Sequence, residues 1–324
     1  MNISGRPPAM TVRDDGHGSS NEHALRRPDS RQRLRRGSRS GAFGARLMLT
    51  PAVTALLIWM IVPLTLTLWF SFQRYNLLRP ATGFAGFDNY AYLLSGHDLW
   101  LSIWNTVLLV GGVLVATIVL GTLSAVLLDQ PLIGRGVLRL LCIAPFFVMP
   151  TVSALVWKNL LMNPVTGLFA WVARLVHVAP VDWFSRVPLL AIGVIVAWQW
   201  VPFATLILLT ALQSLDQEQM EAAHMDGAGP VARLRYIMLP HLARPISIVV
   251  MIETIFLLSV FAEILVTTSG GPGSASTNLP YLVYKTALLR FDVGGASAGG
   301  IVAVVLANIV AFFLVRSVAR DMGR

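Results

Sequence analysis

Long apolar runs separated by polar segments dominate the pattern along this chain. Six runs are almost free of charged residues and are about 20 residues or more in length, which is what a helix needs to cross the hydrocarbon core of a bilayer. They predict an all-α integral membrane protein with six transmembrane helices. The predicted spans cover residues 47–70, 103–128, 138–157, 188–212, 245–268 and 297–315.

Proline and glycine positions refine two of these spans. Pro145 and Pro150 fall inside the third run and are expected to kink it, because proline has no amide to donate within a helix. A glycine-rich stretch at 294–300 leads into the sixth span. The remaining polar stretches set the predicted organisation: a tail at 1–46, the first transmembrane helix at 47–72, an extracytoplasmic loop at 73–102, a transmembrane domain at 103–316 that includes a polar segment at 213–244, and a second tail at 317–324.

Composition supports the membrane class and locates the charge. The chain is 55% hydrophobic and 13% charged, with a mean hydropathy of +0.67, whereas soluble domains carry about 25% charged residues. The net charge is +9, and ten of the 25 Lys and Arg residues, all of them arginines, lie within residues 1–46. This tail, with Met1 or Met10 as its start, is predicted to be disordered and to lie near anionic lipid. A nucleic-acid partner is not needed to account for it.

The distribution of Lys and Arg predicts the orientation. With an inside N-terminus, eighteen of these residues fall in the inside segments and six in the outside loops. The positive-inside rule therefore predicts that both termini and the 213–244 segment are cytoplasmic.

The 213–244 segment has a local pattern of its own. Asp216 is a predicted N-cap for a short helix over 217–225. Gly227 and Gly229 permit a sharp turn, and Pro230 suits the first position of a second helix. Pro240 is expected to end that helix before the next span. The segment is therefore predicted to be two short helices joined by a turn at the membrane surface.

The same segment resembles a known family. Glu221-Ala222-Ala223, Gly227 after three residues, and Ile237-Met238-Leu239-Pro240 after nine more are similar to the EAA signature of ABC importer permeases. The resemblance implies an ABC importer type I permease fold with a cytoplasmic EAA coupling loop, which docks into a cleft on a separate ATPase subunit. The coupling residues it implies are Glu221, Ala222, Ala223, His224, Asp226, Gly227, Ala228, Leu234 and Pro240.

The resemblance also implies an assembly in a bacterial plasma (inner) membrane. Its members would be a second, sister permease that forms a heterodimer with this chain, two ABC ATPase subunits that bind ATP and Mg, and an extracytoplasmic solute-binding protein. This chain would then be a transport subunit and not an enzyme, with no cofactor of its own. The sequence agrees, because it contains no G-x-x-x-x-G-K-[ST] motif and no His/Cys cluster with metal-ligand spacing.

A second motif lies after the fifth run. Thr267 to Gly273, followed by Thr277, Tyr281 and Tyr284, resembles the T-x-G-G-P…T…Y-x-x-Y stretch of carbohydrate-type ABC permeases. The resemblance implies a contact for the binding protein, or a lip of the substrate path, at Gly270, Gly271, Pro272 and Thr277. A plain turn followed by interfacial tyrosines is the alternative.

Whole-chain resemblance points to a cargo. Stretches such as 144–159, 197–223 and 261–278 are similar to sorbitol and mannitol permeases, although His224 stands where polyol permeases usually carry an acidic residue. A polyol cargo is therefore predicted. The alternatives left open are another sugar, a glycerol-phosphate-like solute or, in a different class, a secondary transporter, for which neither an internal repeat nor an ion-ligand cluster is seen.

Polar and aromatic residues within the runs are candidates for the substrate path. Hydroxyl groups of a polyol take hydrogen bonds, and its C–H faces pack on rings. Trp198 and Trp200 are two apart and cannot face the same way on one helix. Glu253 is expected to be structural or to pair with a polar group on another subunit. The predicted path residues are Asn105, Trp198, Gln199, Trp200 and Glu263.

Overall fold

The computed structural model describes residues 30–79, 83–131 and 133–322, and within these ranges it is helical, with only isolated β-bridges. The chain divides between Ile61 and Val62, inside its first helix, into two units. The helices are α1 (Ser30–Ser71), α2 (Asp88–Ser95), α3 (His97–Asp129), α4 (Arg135–Ile143), α5 (Pro150–Val156), α6 (Leu168–Leu175), α7 (Trp183–Arg186), α8 (Pro188–Leu212), α9 (Gln217–Met225), α10 (Pro230–Arg233), α11 (Leu239–Leu257), α12 (Ala262–Thr267), α13 (Leu279–Tyr284) and α14 (Val293–Met322).

Among the described residues, five helical stretches are long and apolar enough to cross a membrane, and one bent pair makes a sixth. Counting the pair as one span gives the six spans that the sequence predicts, and the fourth has the predicted bounds. The all-α fold is therefore confirmed. The stretches are Leu49–Ser71, His97–Asp129, Pro188–Leu212, Pro230–Leu257, Val293–Arg316 and the pair Arg135–Phe147 with Pro150–Leu161.

Helices extend further than predicted at both ends of the described chain. Residues 30–46, predicted to be disordered, are the helical start of α1. The rest of that tail, 1–29, lies outside the described residues. At the other end α14 continues to Met322, into the predicted tail at 317–324. The predicted loop at 73–102 contains α2 and the start of α3.

The third span is broken rather than kinked. The helix ends in a 3-10 turn at Ala144–Phe147, and the second half is bent by 104° from the direction of the first. Met149 has an extended ψ of 138°, because Pro150 disfavours the helical conformation of the residue before it. The prolines therefore separate two short helices instead of bending one.

The fifth span starts and ends earlier than predicted, and Pro240 does not terminate a helix. Helix runs from Pro230 to Leu257 through both Pro240 and Pro245. A π turn at Leu234–Met238 precedes Pro240, and the Leu239 N–H donates to the Leu234 carbonyl five residues back. This one-residue shift in the hydrogen-bond ladder lets the helix accommodate the proline that follows.

The core of the second unit is the crossing of α3 and α8. Gly121 of α3 lies against Ala204 of α8, and a Cβ at Gly121 would come within 2.7 Å of the Ala204 Cβ. The small residues at 121 and 125 thus allow close approach, here between two helices of the same chain. Around this contact one apolar cluster centres on Val113, Ile192 and Leu257, and another on Ala125, Leu208 and Leu242.

Candidate functional site

The 213–244 segment forms two helices joined by a turn, as its sequence predicts. Asp216 caps α9, because its Oδ1 accepts from the Glu218 N–H at 3.0 Å. Pro230 stands in the first turn of α10. The cap and the proline fix both helix starts, so the segment is a defined structural element and not a loose connection.

Gly227 closes α9 with a left-handed backbone, at φ 76°. The N–H of Gly227 donates to the His224 carbonyl at 3.0 Å, and the N–H of Ala228 donates to the Ala223 carbonyl at 2.9 Å. This pair of bonds is a Schellman motif, which strongly favours glycine at the left-handed position. The spacing between Ala223 and Gly227 therefore has a backbone cause.

The surface of this segment is exposed and partly apolar. The exposed fractions are 86% for Met225, 76% for Val231 and 72% for Tyr236. Exposed apolar surface on a rigid backbone is typical of a protein-interaction surface. Of the predicted coupling residues, Ala223, Ala228 and Leu234 are half-buried, and the exposed ones are Glu221, Ala222, His224, Asp226, Gly227 and Pro240.

The segment is attached rigidly to the transmembrane helices. The His241 Nε2 lies 2.9 Å from the Ala211 carbonyl at the end of α8. Leu242 is fully buried in the cluster with Leu208, and Met238 packs against the same cluster. Because α10, the π turn and α11 form one helical rod, a displacement of the segment would move α11 with it.

A second polar network surrounds the Gly-Gly-Pro turn. The Thr277 hydroxyl donates to the Gly270 carbonyl at 3.1 Å, and the Ser276 hydroxyl donates to the Gly271 carbonyl at 2.8 Å. The peptide between Gly271 and Pro272 is cis. Of the four predicted binding-protein contacts, Pro272 is exposed and Gly271 half-buried, whereas Gly270 and Thr277 are buried.

Two of the predicted path residues bind backbone carbonyls. Asn105 is 4% exposed, and its Nδ2 donates to the carbonyls of Thr277 at 3.0 Å and Ser274 at 3.2 Å, beside the Gly-Gly-Pro turn. Gln199 is 6% exposed, and its Nε2 donates to the Val148 carbonyl at 3.0 Å, at the break in the third span. Both amides therefore hold backbone in place.

The other three predicted path residues have different neighbours. Trp198 packs on Trp157 with ring centroids 5.7 Å apart, and Trp200 packs on Phe256 at 5.3 Å. The two tryptophans thus face different neighbours, as their spacing predicts. Glu263 is buried in α12. The role of the five residues in a path stays a prediction.

Glu253 is fully buried between α11 and α3. The Thr117 hydroxyl lies 2.6 Å from its Oε2 and donates to it, while Oε1 has no partner among the described residues. This contact within the chain agrees with the structural alternative for Glu253. Sequence reasoning missed Thr117, because nothing local relates it to a carboxylate 136 positions away.

Two more polar residues with long-range backbone contacts, the half-buried Lys158 and the buried Asn278, were missed from the sequence. The Lys158 Nζ donates to the Val266 carbonyl at 2.9 Å. Asn278 donates to the Val260 carbonyl at 2.6 Å and caps α13 by accepting from the Tyr281 N–H. The Asn-Leu-Pro order at 278–280 is an N-cap signal that could have identified the second contact.

A cavity of about 750 Å³ lies between α3, α8 and the broken third span. Its wall is almost wholly apolar and includes Val113, Cys142, Trp157 and Trp198. A polyhydroxylated solute needs hydrogen-bond partners that this wall does not supply. The cavity is therefore not assigned to such a cargo.

The chain is similar to known transport permeases. Residues 117–324 match the family described as binding-protein-dependent transport system inner membrane component. The chain is 35% identical to the trehalose/maltose transport system permease protein MalF of Thermococcus litoralis, over 83% of this chain and 90% of that protein. It is 28% identical to the sn-glycerol-3-phosphate transport system permease protein UgpA of Shigella flexneri, over 85% of this chain and 94% of that protein.

A solved structure has the same fold. It is a bacterial ABC transporter involved in the import of the acidic polysaccharide alginate, with a TM-score of 0.74 and 22% identity, covering 89% of this chain and 99% of that chain. The family match covers more than half of this chain, and the relative at 35% identity extends over most of it. The chain therefore belongs to the inner membrane components of binding-protein-dependent transport systems, the multi-pass permease subunits of carbohydrate-type ABC importers.

Proposed function

We propose that this chain forms half of the translocation path of an ATP-driven importer for a polyol such as sorbitol or mannitol. We further propose that its 213–244 segment is the coupling element. The observation that carries the coupling role is the exposed, capped helix pair that continues without a break into α11. A rigid element of this kind can transmit the movement of a partner into the membrane.

The proposed assembly contains three kinds of partner. A sister permease supplies the other half of the path, and two ATPase subunits each bind one 213–244 segment on the cytoplasmic side. ATP binding favours the state in which the ATPase subunits are closed, and this differential affinity drives the change from inward-facing to outward-facing. An extracytoplasmic binding protein delivers the solute near the Gly-Gly-Pro turn, where Pro272 is exposed.

The choice of cargo rests on charge and on resemblance. Glu253 is the one carboxylate of α11. It accepts from the Thr117 hydroxyl and is fully buried, so it is not offered to a solute. A neutral polyhydroxylated solute suits such an interior, and the resemblance to polyol permeases favours a polyol. The second candidate is a disaccharide, which the relative named for trehalose and maltose supports.

The coupling role is tested by a charge reversal in α9. Glu221→Arg is expected to lower uptake at least about tenfold while the chain still inserts, because it reverses an exposed charge on the proposed docking surface. The matched control is Gln219→Arg, which adds a positive charge two residues away, about 200° around the same helix. Normal uptake by a well-expressed Glu221→Arg protein would contradict the coupling role.

The cargo is tested through the binding protein. The complex is purified by a tag on this chain, and the companion binding protein is identified and titrated with sorbitol, mannitol, trehalose and maltose. Binding of a polyol supports the first candidate, and binding of only a disaccharide would replace it with the second. A chain that transports alone in liposomes without ATP would refute the importer assembly itself.

A further inference from the structure

The apolar cavity between α3, α8 and the broken third span is a groove that runs along the helices. Its wall extends from Leu108 to Leu120 on α3 and from Leu189 to Pro202 on α8. The thirteen residue steps from Leu189 to Pro202, at about 1.5 Å each, make this α3–α8 groove about 20 Å long. The close contact of Gly121 with Ala204 comes next along both helices and bounds that end.

The α3–α8 groove is open along one side. Leu120, Leu141 and Leu190 on its rim are between 49% and 65% exposed, whereas Trp157 and Ala197 on its wall are 8% and 7% exposed. The rim residues belong to three of the spans that cross the membrane. Exposed leucines within a span lie in the hydrocarbon layer, so the opening leads into the apolar part of the membrane.

Two glycines keep space open in the groove. Gly112 of α3 and Gly193 of α8 both line it. A Cβ at Gly112 would meet nothing within 4 Å, and one at Gly193 would lie at ordinary contact distance from Leu109 and Val113. The space along these glycines is therefore not filled by any side chain of the described residues.

Neither water nor a helix fits this space. A buried water needs two to four polar partners, and the wall is almost wholly apolar. A helix is about 10–12 Å across, so a 20 Å length of it takes up ~1,600 Å³ or more, roughly twice the 750 Å³ of the groove. An acyl chain is thinner, and it spans one leaflet of a hydrocarbon core about 30 Å thick, so both its width and its length suit the groove.

We propose that the α3–α8 groove binds one acyl chain of a membrane phospholipid. The chain lies along α3 and α8 with its methyl end against the crossing of Gly121 and Ala204. The headgroup lies at the other end, near the start of α8 at Pro188. The bound chain makes the dispersion contacts that the open space would otherwise lack. This site is independent of the cargo and of the coupling role proposed above.

The test maps the contacts of lipid chains on the tagged full-length chain with its companions. The complex is reconstituted in nanodiscs of palmitoyl-oleoyl phosphatidylcholine that include a phosphatidylcholine with a diazirine in the middle of one acyl chain. After irradiation, the crosslinked residues are identified by mass spectrometry of peptides. A chain inside the groove is expected to label the half-buried Cys142 and Trp198 of the wall at least as strongly as the exposed Leu190 of the rim.

A substitution that fills the groove should prevent this labelling. Gly112→Leu is expected to lower the labelling of Cys142 and Trp198 at least about tenfold, because it displaces several methylenes and each buried methylene contributes about fourfold to affinity. The matched control is Gly111→Leu, which adds the same side chain at the neighbouring exposed position outside the groove. This control is expected to leave the labelling unchanged.

Ala116→Leu also fills the groove and takes the place of Gly112→Leu if that variant does not insert. Labelling of Leu190 without Cys142 and Trp198 in the native complex would overturn the proposal, because it would show that the groove is closed to lipid, as it would be beneath a helix of the sister permease. Equal labelling of the wall in the filled variant and in Gly111→Leu would also overturn it.

Discussion

At the residue scale, the buried polar side chains of this chain mostly serve its own structure. Asn105 holds a carbonyl 172 positions away, and Gln199 holds one 51 positions away. The sequence identifies both as unusual in an apolar run. It cannot tell a residue that faces a solute from one that faces a distant carbonyl, because the partner is brought close only by the packing of other helices.

Removal of the Thr117 hydroxyl is expected to destabilise the chain. Thr117→Val leaves the Glu253 Oε2 buried without a donor, and the loss should be about 1–3 kcal/mol, since such a group keeps its desolvation cost. Thermal unfolding of the purified chain should show a lower midpoint for this variant. The control is Thr210→Val, whose exposed hydroxyl donates to the Leu206 carbonyl of its own helix; equal midpoints would argue against a structural role for the pair.

The Gly-Gly-Pro turn provides a second test at this scale. Gly270 has φ 80°, and a Cβ there would lie 2.6 Å from the Thr277 Oγ1 and against the Tyr281 ring. Gly270→Ala should therefore cost more than the about 1–2 kcal/mol that a left-handed alanine requires. Gly273 is also left-handed, but its surroundings are open, so Gly273→Ala should cost the backbone strain alone. Similar unfolding midpoints for the two variants would contradict this account.

At the scale of elements, the sequence predicts features that depend on neighbouring residues, but it misplaces the ends of helices. The sequence predicts α9, its cap at Asp216 and its closure at Gly227, because each depends on residues within one turn. It places Pro240 at the end of a helix, and a π turn overrides that signal. It cannot locate the end of α11 at Leu257, because residues 258–261 contain neither proline nor glycine.

The crossing of α3 and α8 predicts a difference between two glycines of the same helix. Gly121→Ala would bring a methyl group within 2.7 Å of the Ala204 Cβ, and overpacking of this kind costs about 1–3 kcal/mol. Gly111 is exposed and has open space around it. Gly111→Ala should be neutral or stabilise the helix by up to about 1 kcal/mol. Thermal unfolding of both variants checks the sign of the difference.

At the scale of the whole molecule, class and span number follow from hydropathy, because each run must bury about 20 apolar residues in lipid. The family follows from the spacing around Glu221 and Gly227. The sequence does not predict how the path residues are arranged, because their arrangement depends on which helices pack against each other. The sequence groups Asn105, Trp198 and Glu263 by chemistry alone.

Orientation is a prediction that belongs to this scale. The Lys and Arg distribution places Met225 in the cytoplasm and Pro272 outside. In a Cys142→Ser background, Pro272→Cys should react with a membrane-impermeant maleimide in intact spheroplasts, whereas Met225→Cys should react only after permeabilisation. Both side chains are exposed within the chain, so burial would not prevent labelling. The reverse pattern would invert the topology and would rule out docking of a cytoplasmic ATPase at the 213–244 segment.

The break in the third span has a consequence for how such chains diversify. Where the helix stops near Val148, carbonyls at membrane depth lose their own ladder, and Gln199 supplies a donor from another helix. Gln199 raises the free-energy cost of inserting α8 by itself. In the folded chain it lowers the free-energy cost of burying the bend. The bend therefore depends on this amide. Substitution of Gln199 therefore changes the scaffold. It is tolerated when the bend straightens or when another side chain donates to the Val148 carbonyl.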